Sequence, residues 1–283
     1  LYTSFGTYTV ELMVETYNGC RDTTEQQVEV YQLPVADFSF SDGCLLAPAT
    51  FTDQSTSNSG NLDAWTWDLG DNTIENGQGP INHAYLAAGD YVIELIAAPE
   101  YAGFDTVEHT ITIHPMPVAD FEADSVCVNE VTNFTNLSTI STGLITDNDW
   151  DFGFSTTSNA LNPTNTFPQT GYHPVFLSVT SDLGCVDTIT KNIRVYVLPQ
   201  PAFSNNDTCF EDIVSFSNQS QISEGTIDAY DWDFGDSQTS NLQASTHYYG
   251  AEGMYTATLV ATSNFGCTET VSQQVEIYPL PQI

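Results

Sequence analysis

Three copies of one short pattern constrain this chain more than any other feature: Trp65-Thr66-Trp67-Asp68-Leu69-Gly70-Asp71, Asn148-Asp149-Trp150-Asp151-Phe152-Gly153-Phe154 and Tyr230-Asp231-Trp232-Asp233-Phe234-Gly235-Asp236. Their central tryptophans, Trp67, Trp150 and Trp232, lie 83 and then 82 residues apart. A fixed period of that length means tandem domains. Residues 1–33 repeat only the second half of the unit. Gly6-Thr7-Tyr8, Asn18-Gly19-Cys20 and Val28-Glu29-Val30-Tyr31 recur in order as Gly253-Met254-Tyr255, Phe265-Gly266-Cys267 and Val275-Glu276-Ile277-Tyr278. The expected organisation is a half unit over 1–33 and full units over 34–116, 117–200 and 201–283, an internal piece of something longer.

Inside each unit the pattern is strand throughout. Tyr255, Ala257 and Leu259 alternate with Thr256 and Thr258, and Val175, Leu177 and Val179 alternate with Phe176 and Ser178. This period of two in β-favouring residue types, broken by clusters such as 55–61 and 72–79, predicts about seven short strands per unit. The fold class is therefore all-β, as tandem antiparallel sandwiches of immunoglobulin type. The units meet at Leu33-Pro34, Pro115-Met116-Pro117 and Leu198-Pro199-Gln200-Pro201. Proline restricts its own backbone and that of its predecessor, so these joints are expected to be stiff and the array rod-like.

Charge excludes one class of partner. Three Lys plus Arg against 37 Asp plus Glu give a formal charge of -34, which repels phosphate backbones and speaks against nucleic acid. No apolar run approaches the ~20 residues of a membrane helix, so no membrane insertion is expected.

The motifs together resemble the PKD (polycystic kidney disease) domain. They are Pro34-Val35-Ala36-Asp37-Phe38 at the start, the tryptophan pattern in the middle, then His83-Ala84-Tyr85 with Gly89-Asp90-Tyr91 and His247-Tyr248-Tyr249 with Gly253-Met254-Tyr255. The second unit departs from the pattern, with Asn165-Thr166-Phe167 and Phe154 at the corresponding places. The resemblance implies an extracellular, cell-surface spacer or adhesive module and no enzyme. A Gly-Cys-x-Asp-Thr feature late in the unit also resembles arrays in very large secreted surface proteins and adhesins of Bacteroidota.

Trp67, Trp150 and Trp232 are expected to anchor the cores, where burying Trp with its neighbouring Phe contributes about 3 to 6 kcal/mol before entropy. Asp63, Asp68 and Asp71, with Asp228, Asp233 and Asp236, form a candidate metal set, for calcium and its six to eight oxygens, beside a metal at the domain junctions. The second unit keeps only Asp151 of that trio, and a solvated turn is the competing reading. No cofactor is otherwise implied. His83 and His247 share one repeat position, for which a local hydrogen bond is expected, whereas His109, His114 and His173 stand isolated.

Six cysteines occupy two repeat positions: Cys44, Cys127 and Cys209 early, Cys20, Cys185 and Cys267 late, with Phe104 in place of the late one in the first full unit. Strand order puts early and late cysteines at opposite poles of a sandwich, beyond the ~7 Å that a disulfide tolerates between Cα atoms. The favoured pairing is therefore between units, Cys44 with Cys185 and Cys127 with Cys267, leaving Cys20 and Cys209 for domains outside this sequence. Pairing within units, Cys127 with Cys185 and Cys209 with Cys267, stays open as the alternative. Thr23, Thr106, Ser125 and Thr188 follow aspartate in the pattern of Bacteroidota O-glycan acceptors.

Two functions follow. One is a non-catalytic stalk, spacer or filament shaft of a large secreted surface adhesin or appendage. Its partners are neighbouring repeats and identical chains in a fibre, and its distant tip binds a cell surface or glycan. The other is a polysaccharide- or protein-binding accessory module of a secreted hydrolase.

Overall fold

A computed structural model describes residues 1–101 and 103–281; Ala102, within the 34–116 unit, and Gln282 and Ile283, at the end of the 201–283 unit, lie outside the described residues. All regular structure among these residues is β. In the first full repeat a three-stranded sheet is built from Phe38–Ser39, Pro48–Asp53 and Ile81–Ala84. A five-stranded sheet follows the order Gly43–Cys44, Asp105–His114, Gly89–Pro99, Leu62–Asp68, Ile74–Asn76. The strand beyond the expected seven is the two-residue piece at the early cysteine, which pairs in parallel with the end of the last strand, Cys44 opposite His114. The second and third repeats follow the same order.

Alternation explains the layers. Along Gly89–Pro99 the side chains of Ile93, Leu95 and Ala97 are fully buried, while Glu94 and Ile96 between them are half-buried and Val92 before them is exposed. Phe38, Phe51, Trp67, Leu69, Tyr85, Ile111 and Ile113 complete that core. Its counterpart in the third repeat is Phe203, Val214, Phe216, Trp232, Phe234, Tyr249, Leu259, Val275 and Ile277. The three tryptophans are 0–1% exposed. Each indole Nε1 donates to a backbone carbonyl, of Gly77, Ala160 and Leu242 respectively, at 2.8–3.0 Å, so burial leaves no orphaned donor.

The leading segment is a two-stranded hairpin, Gly6–Glu15 with Arg21–Val30, in register from Gly6 opposite Val30 to Glu15 opposite Arg21. Its apolar Val10, Leu12 and Val14, whose counterparts in the third repeat are buried, are exposed here.

The chain divides into two compact units that do not follow the repeat boundaries. One comprises residues 1–117 with the short segments 140–145 and 180–186; the other comprises 118–139, 146–179 and 187–283. Two loop tips of the second repeat thus belong with the first. Of the proline junctions, Pro115-Met116-Pro117 coincides with a division, between Pro117 and Val118, whereas Leu33-Pro34 and Leu198-Pro199-Gln200-Pro201 do not. The bridge of Gln200 with Gln221, equivalent to Val35 with Thr56 and Val118 with Thr139, also brings residues ahead of Pro201 into the third sandwich.

Candidate functional site

The persistent Trp-Asp-x-Gly element is a turn device. Asp68, Asp151 and Asp233 each accept at Oδ1 from the amide of the glycine two residues on, at 2.8–2.9 Å. Gly70, Gly153 and Gly235 have φ of +76°, +76° and +79°. A Cβ at Gly70 or Gly235 would also come within 2.6 Å of a backbone oxygen of the neighbouring strand. Glycine is therefore required both for its conformation and for the close approach.

The acids considered for calcium take part in hydrogen bonds of the fold. Asp71 and Asp236 accept at Oδ1 from the amides of Thr73 and Gln238, and at Oδ2 from His83 and His247 at 2.7 and 2.8 Å. Asp228 accepts from Thr226 Oγ1, and Asp63 is exposed on its strand. No group of three or more acids, histidines or cysteines among the described residues is arranged to hold a metal. In Asp71 and Asp236 both carboxylate oxygens are engaged, by a turn amide and a histidine ring.

Each aspartate–histidine pair sits beside a buried tyrosine whose hydroxyl donates back to a backbone carbonyl, Tyr85 to Leu69 and Tyr249 to Phe234, both at 3.0 Å. Burial, with Asp71 or Asp236 adding negative charge, pushes both phenols well above the usual tyrosine range. Burial also pushes Asp71 up, but hydrogen bonds from His83 and Thr73 outweigh it and leave the carboxyl below its ordinary value.

Of the three histidines read as isolated, His173 is hydrogen-bonded, whereas His109 Nε2 is buried without a hydrogen-bond partner. His173 Nε2 donates to the Gln169 carbonyl at 2.8 Å, as the Tyr91 and Tyr255 hydroxyls do to Ala87 and Ala251. His109 Nε2 lies 3.5 Å from Asp37 Oδ1, and His114 Nε2 lies 3.9 Å from Asp42 Oδ2. Lys191 and Gln273 occupy the position of His109 in the other repeats and bond the first strand of their own sandwich, at Phe121 O and Phe203 O. The hydrogen bond from Lys191 to Asp120 holds that carboxyl below its ordinary range.

Disulfides run Cys44–Cys185 and Cys127–Cys267, each with Cα atoms 5.7 Å apart. Both join consecutive repeats, and each lies inside one compact unit. The within-repeat alternative is corrected on distance. Cys209 is bridged to Tyr278 at one end of the last strand, whereas Cys267 precedes Thr268 at its other end. At about 3.3 Å per residue that separation is roughly 36 Å. Cys127 and Cys185 each hold a different partner.

Two local motifs shape these links. The late cysteine closes a tight turn: Cys20, Cys185 and Cys267 each donate from the amide to the hydroxyl four residues earlier, of Thr16, Ser181 and Ser263, at 3.0–3.2 Å. A glycine with φ near +80° precedes each of them. Asp182 and Asn264, in the turns of Cys185 and Cys267, each accept at Oδ1 from the amide of a neighbouring loop, at Leu144 and Thr226. The early cysteine sits in the parallel bridge to the last strand, Cys44 with His114, Cys127 with Tyr196, Cys209 with Tyr278. In each case its carbonyl accepts from the amide three residues later, of Ala47, Glu130 and Asp212.

Around Cys127–Cys267 the contact is more than covalent. The Tyr196 ring stacks on Phe265 with centroids 4.1 Å apart and planes 8° from parallel. Arg194 pairs with Glu224, and its guanidinium lies 4.7 Å over Tyr172 and 5.5 Å over Tyr196. These residues escaped the sequence reading. A usable signal was present, since Arg194 is one of only three cations in the chain.

A shallow depression recurs on the outer face of the five-stranded sheet. In the third repeat it measures about 460 Å³ between Asp231, Asp233, Ser240, Asn241 and Thr258. In the second it measures about 330 Å³ between Asp149, Asp151, Ser158, Asn159 and Phe176. Asn159 Nδ2 donates to Asp149 Oδ1 across it at 2.6 Å. Thr23, Thr106, Ser125 and Thr188 are all exposed. Thr106 and Thr188 follow aspartates that already serve the fold: Asp105 and Asp187 accept from the amides of Ala36 and Ala119 at 2.9 and 2.8 Å.

Eight-stranded immunoglobulin-like sandwiches, repeated in tandem and bonded early cysteine to late cysteine, define the class of this protein. The sequence profile of the PKD domain matches residues 32–115, 114–197 and 198–277, so the chain belongs to the PKD-domain family. It is 28% identical over 142 residues to the pre-pro-metalloprotease PrtV of Vibrio cholerae, covering 50% of this chain and 15% of that protein. With collagenase ColA of Clostridium perfringens it shares 30% identity over 107 residues, 38% of this chain and 9% of the collagenase. The crystal structure of the PKD1 domain of V. cholerae PrtV matches at 33% identity with a TM-score of 0.27, over 29% of this chain and 98% of that domain. The chain thus spans less than a sixth of the length of these two relatives. No helix among the described residues is long and apolar enough to cross a membrane.

Proposed function

We propose that this chain is a non-catalytic, extracellular accessory segment of a hydrolase, and that its PKD repeats grip an insoluble protein or polysaccharide beside a separate catalytic domain. The observation that carries this reading is the likeness, over half of the chain, to a pre-pro-metalloprotease, joined by the likeness to a collagenase. The disulfides fit an oxidising compartment. The repeated outer-face depressions offer carboxylate, hydroxyl and amide groups to a polymer strand, whereas Trp67, Trp150 and Trp232, being buried, offer no stacking platform.

Co-sedimentation with insoluble collagen, cellulose and chitin at high salt tests the reading. Retention on at least one polymer is expected, weakened severalfold by joint substitution of Asp231 and Asn241 with alanine. Complete recovery in the supernatant with all three overturns it. The second reading, a stalk or filament shaft of a large secreted cell-surface adhesin, would then stand. The disulfides between consecutive repeats favour it, because covalent links suit a segment under tension.

A further inference from the structure

The two disulfides overlap in sequence. Cys127 lies inside the loop closed by Cys44–Cys185, and Cys185 lies inside the loop closed by Cys127–Cys267. Loops set one after the other would be joined by a single length of chain. Here three lengths join the two bonds, residues 44–127, 127–185 and 185–267, the middle one running opposite to the others. Each carries the body of one repeat. The first holds the strands from Pro48–Asp53 to Asp105–His114 with Trp67, the second those from Val131–Asn136 to Gly171–Ser181 with Trp150, and the third those from Phe203–Ser204 to Gly253–Ser263 with Trp232. Each also begins in one compact unit and ends in the other.

The second sandwich hydrogen-bonds the three lengths together. Phe121–Ala123, from the first length, pairs with Val131–Asn136 of the middle one. Gly171–Ser181, also of the middle one, is flanked in its sheet by Val186–Tyr196 of the third. The bonded cysteines sit in ordered backbone: Cys127 is bridged to Tyr196, and the Cys185 amide donates to Ser181 Oγ at 3.0 Å. A pull on either bond therefore reaches the sandwich directly.

From these observations the geometry points to a load-sharing clasp, in which tension along the array is carried between the two disulfides by three repeats in parallel. In a plain string of domains the weakest yields first and alone. Here the bonds separate only if all three lengths extend together, and forced unfolding is governed by the barrier that must be crossed. Separation then stops when the shortest length is taut, at 58 residues, against the 223 that lie between Cys44 and Cys267 along the chain. Neither bond does this alone, because with one removed a single length carries the load. The inference goes beyond the proposed function and does not depend on it.

The test is single-molecule stretching of the full chain, held by peptide tags at its two ends, with Cys20→Ser and Cys209→Ser throughout to prevent thiol exchange. At about 3.5 Å per extended residue, reducing both bonds should add 165 residues, about 580 Å, to the final length. Removing one bond, by Cys44→Ser with Cys185→Ser or by Cys127→Ser with Cys267→Ser, should add 25 or 24 residues, about 85 Å. Between the bonds the oxidised chain should lengthen in one event, and the reduced chain in separate steps at lower force. Lengthening of the oxidised chain repeat by repeat, or a single-bond variant that stretches no further than the doubly bonded chain, would each overturn the clasp.

Discussion

The second repeat solves the turn after its tryptophan strand differently from its neighbours. The first and third place an aspartate, a histidine and a tyrosine there: Asp71, His83 and Tyr85, and Asp236, His247 and Tyr249. The second has Phe154, Asn165 and Phe167, with no carboxylate and no phenol. Its His173 stacks on Phe167 at 4.8 Å, replacing the ring pairs of Tyr85 with Tyr91 and Tyr249 with Tyr255 at 4.2 and 4.1 Å. Phe154 closes the group 5.6 Å from His173. The difference teaches that the site needs two rings in contact and one of them tied to a carbonyl, and that the aspartate–histidine hydrogen bond is an addition to that frame. The frame persists because it fills the core.

Four measurements break or sharpen this comparison. The largest effect should come from what the repeats share. Trp150→Ala and Trp232→Ala, each emptying a fully buried indole site, should cost about 3–5 kcal/mol per repeat; denaturant unfolding followed repeat by repeat would show whether the two losses are equal, as a common frame requires. Next comes Tyr249→Phe, which mimics the second repeat and strips the Phe234 carbonyl of its donor. It should cost about 1–2 kcal/mol, and a neutral result in the same assay would show that the phenol is dispensable in the third repeat too.

A smaller effect of opposite sign belongs to the second repeat. Its Thr132 is fully buried with no partner for the hydroxyl, where the sister strands carry Ala49 and Val214. Thr132→Val should raise its stability by about 1 kcal/mol, visible as a higher unfolding midpoint. The smallest effect is acid sensitivity. Because Asp71 has its folded-state pKa depressed below the unfolded 3.8, its contribution is fully present above that value and is lost as pH falls through the folded one. Thermal scans from pH 7 down to pH 3 should show Asp71→Asn flattening the decline of the first repeat, and an unchanged slope would remove the carboxylate from the account.

Much of the architecture was legible from spacing. The repeat of the tryptophan pattern, the alternation along Tyr255 to Leu259 and the glycine after each tryptophan's aspartate specify sandwiches, their faces and their turns, because these are local consequences of side-chain periodicity and backbone sterics. The candidate site was less legible. Asp71 and Asp236 looked like cation ligands, since acids spaced along a turn are equally suited to calcium and to capping amides; only the positions of Thr73, Gln238 and the two histidines decide between them. His173 passed for an isolated residue, although Gly171-Tyr172-His173 stands where the other repeats have Gly89-Asp90-Tyr91 and Gly253-Met254-Tyr255.

By itself the sequence determined the number of repeats, their all-β character, the anchoring tryptophans and the two classes of cysteine position. All of these follow from patterns inside about 80 residues. The tertiary structure alone decided that loop tips of the second repeat belong with the first and that Tyr196 and Phe265 meet beside Cys127–Cys267. Those facts join residues far apart in the chain. Which surfaces meet depends on the three-dimensional course of complete sandwiches, and no local propensity encodes it.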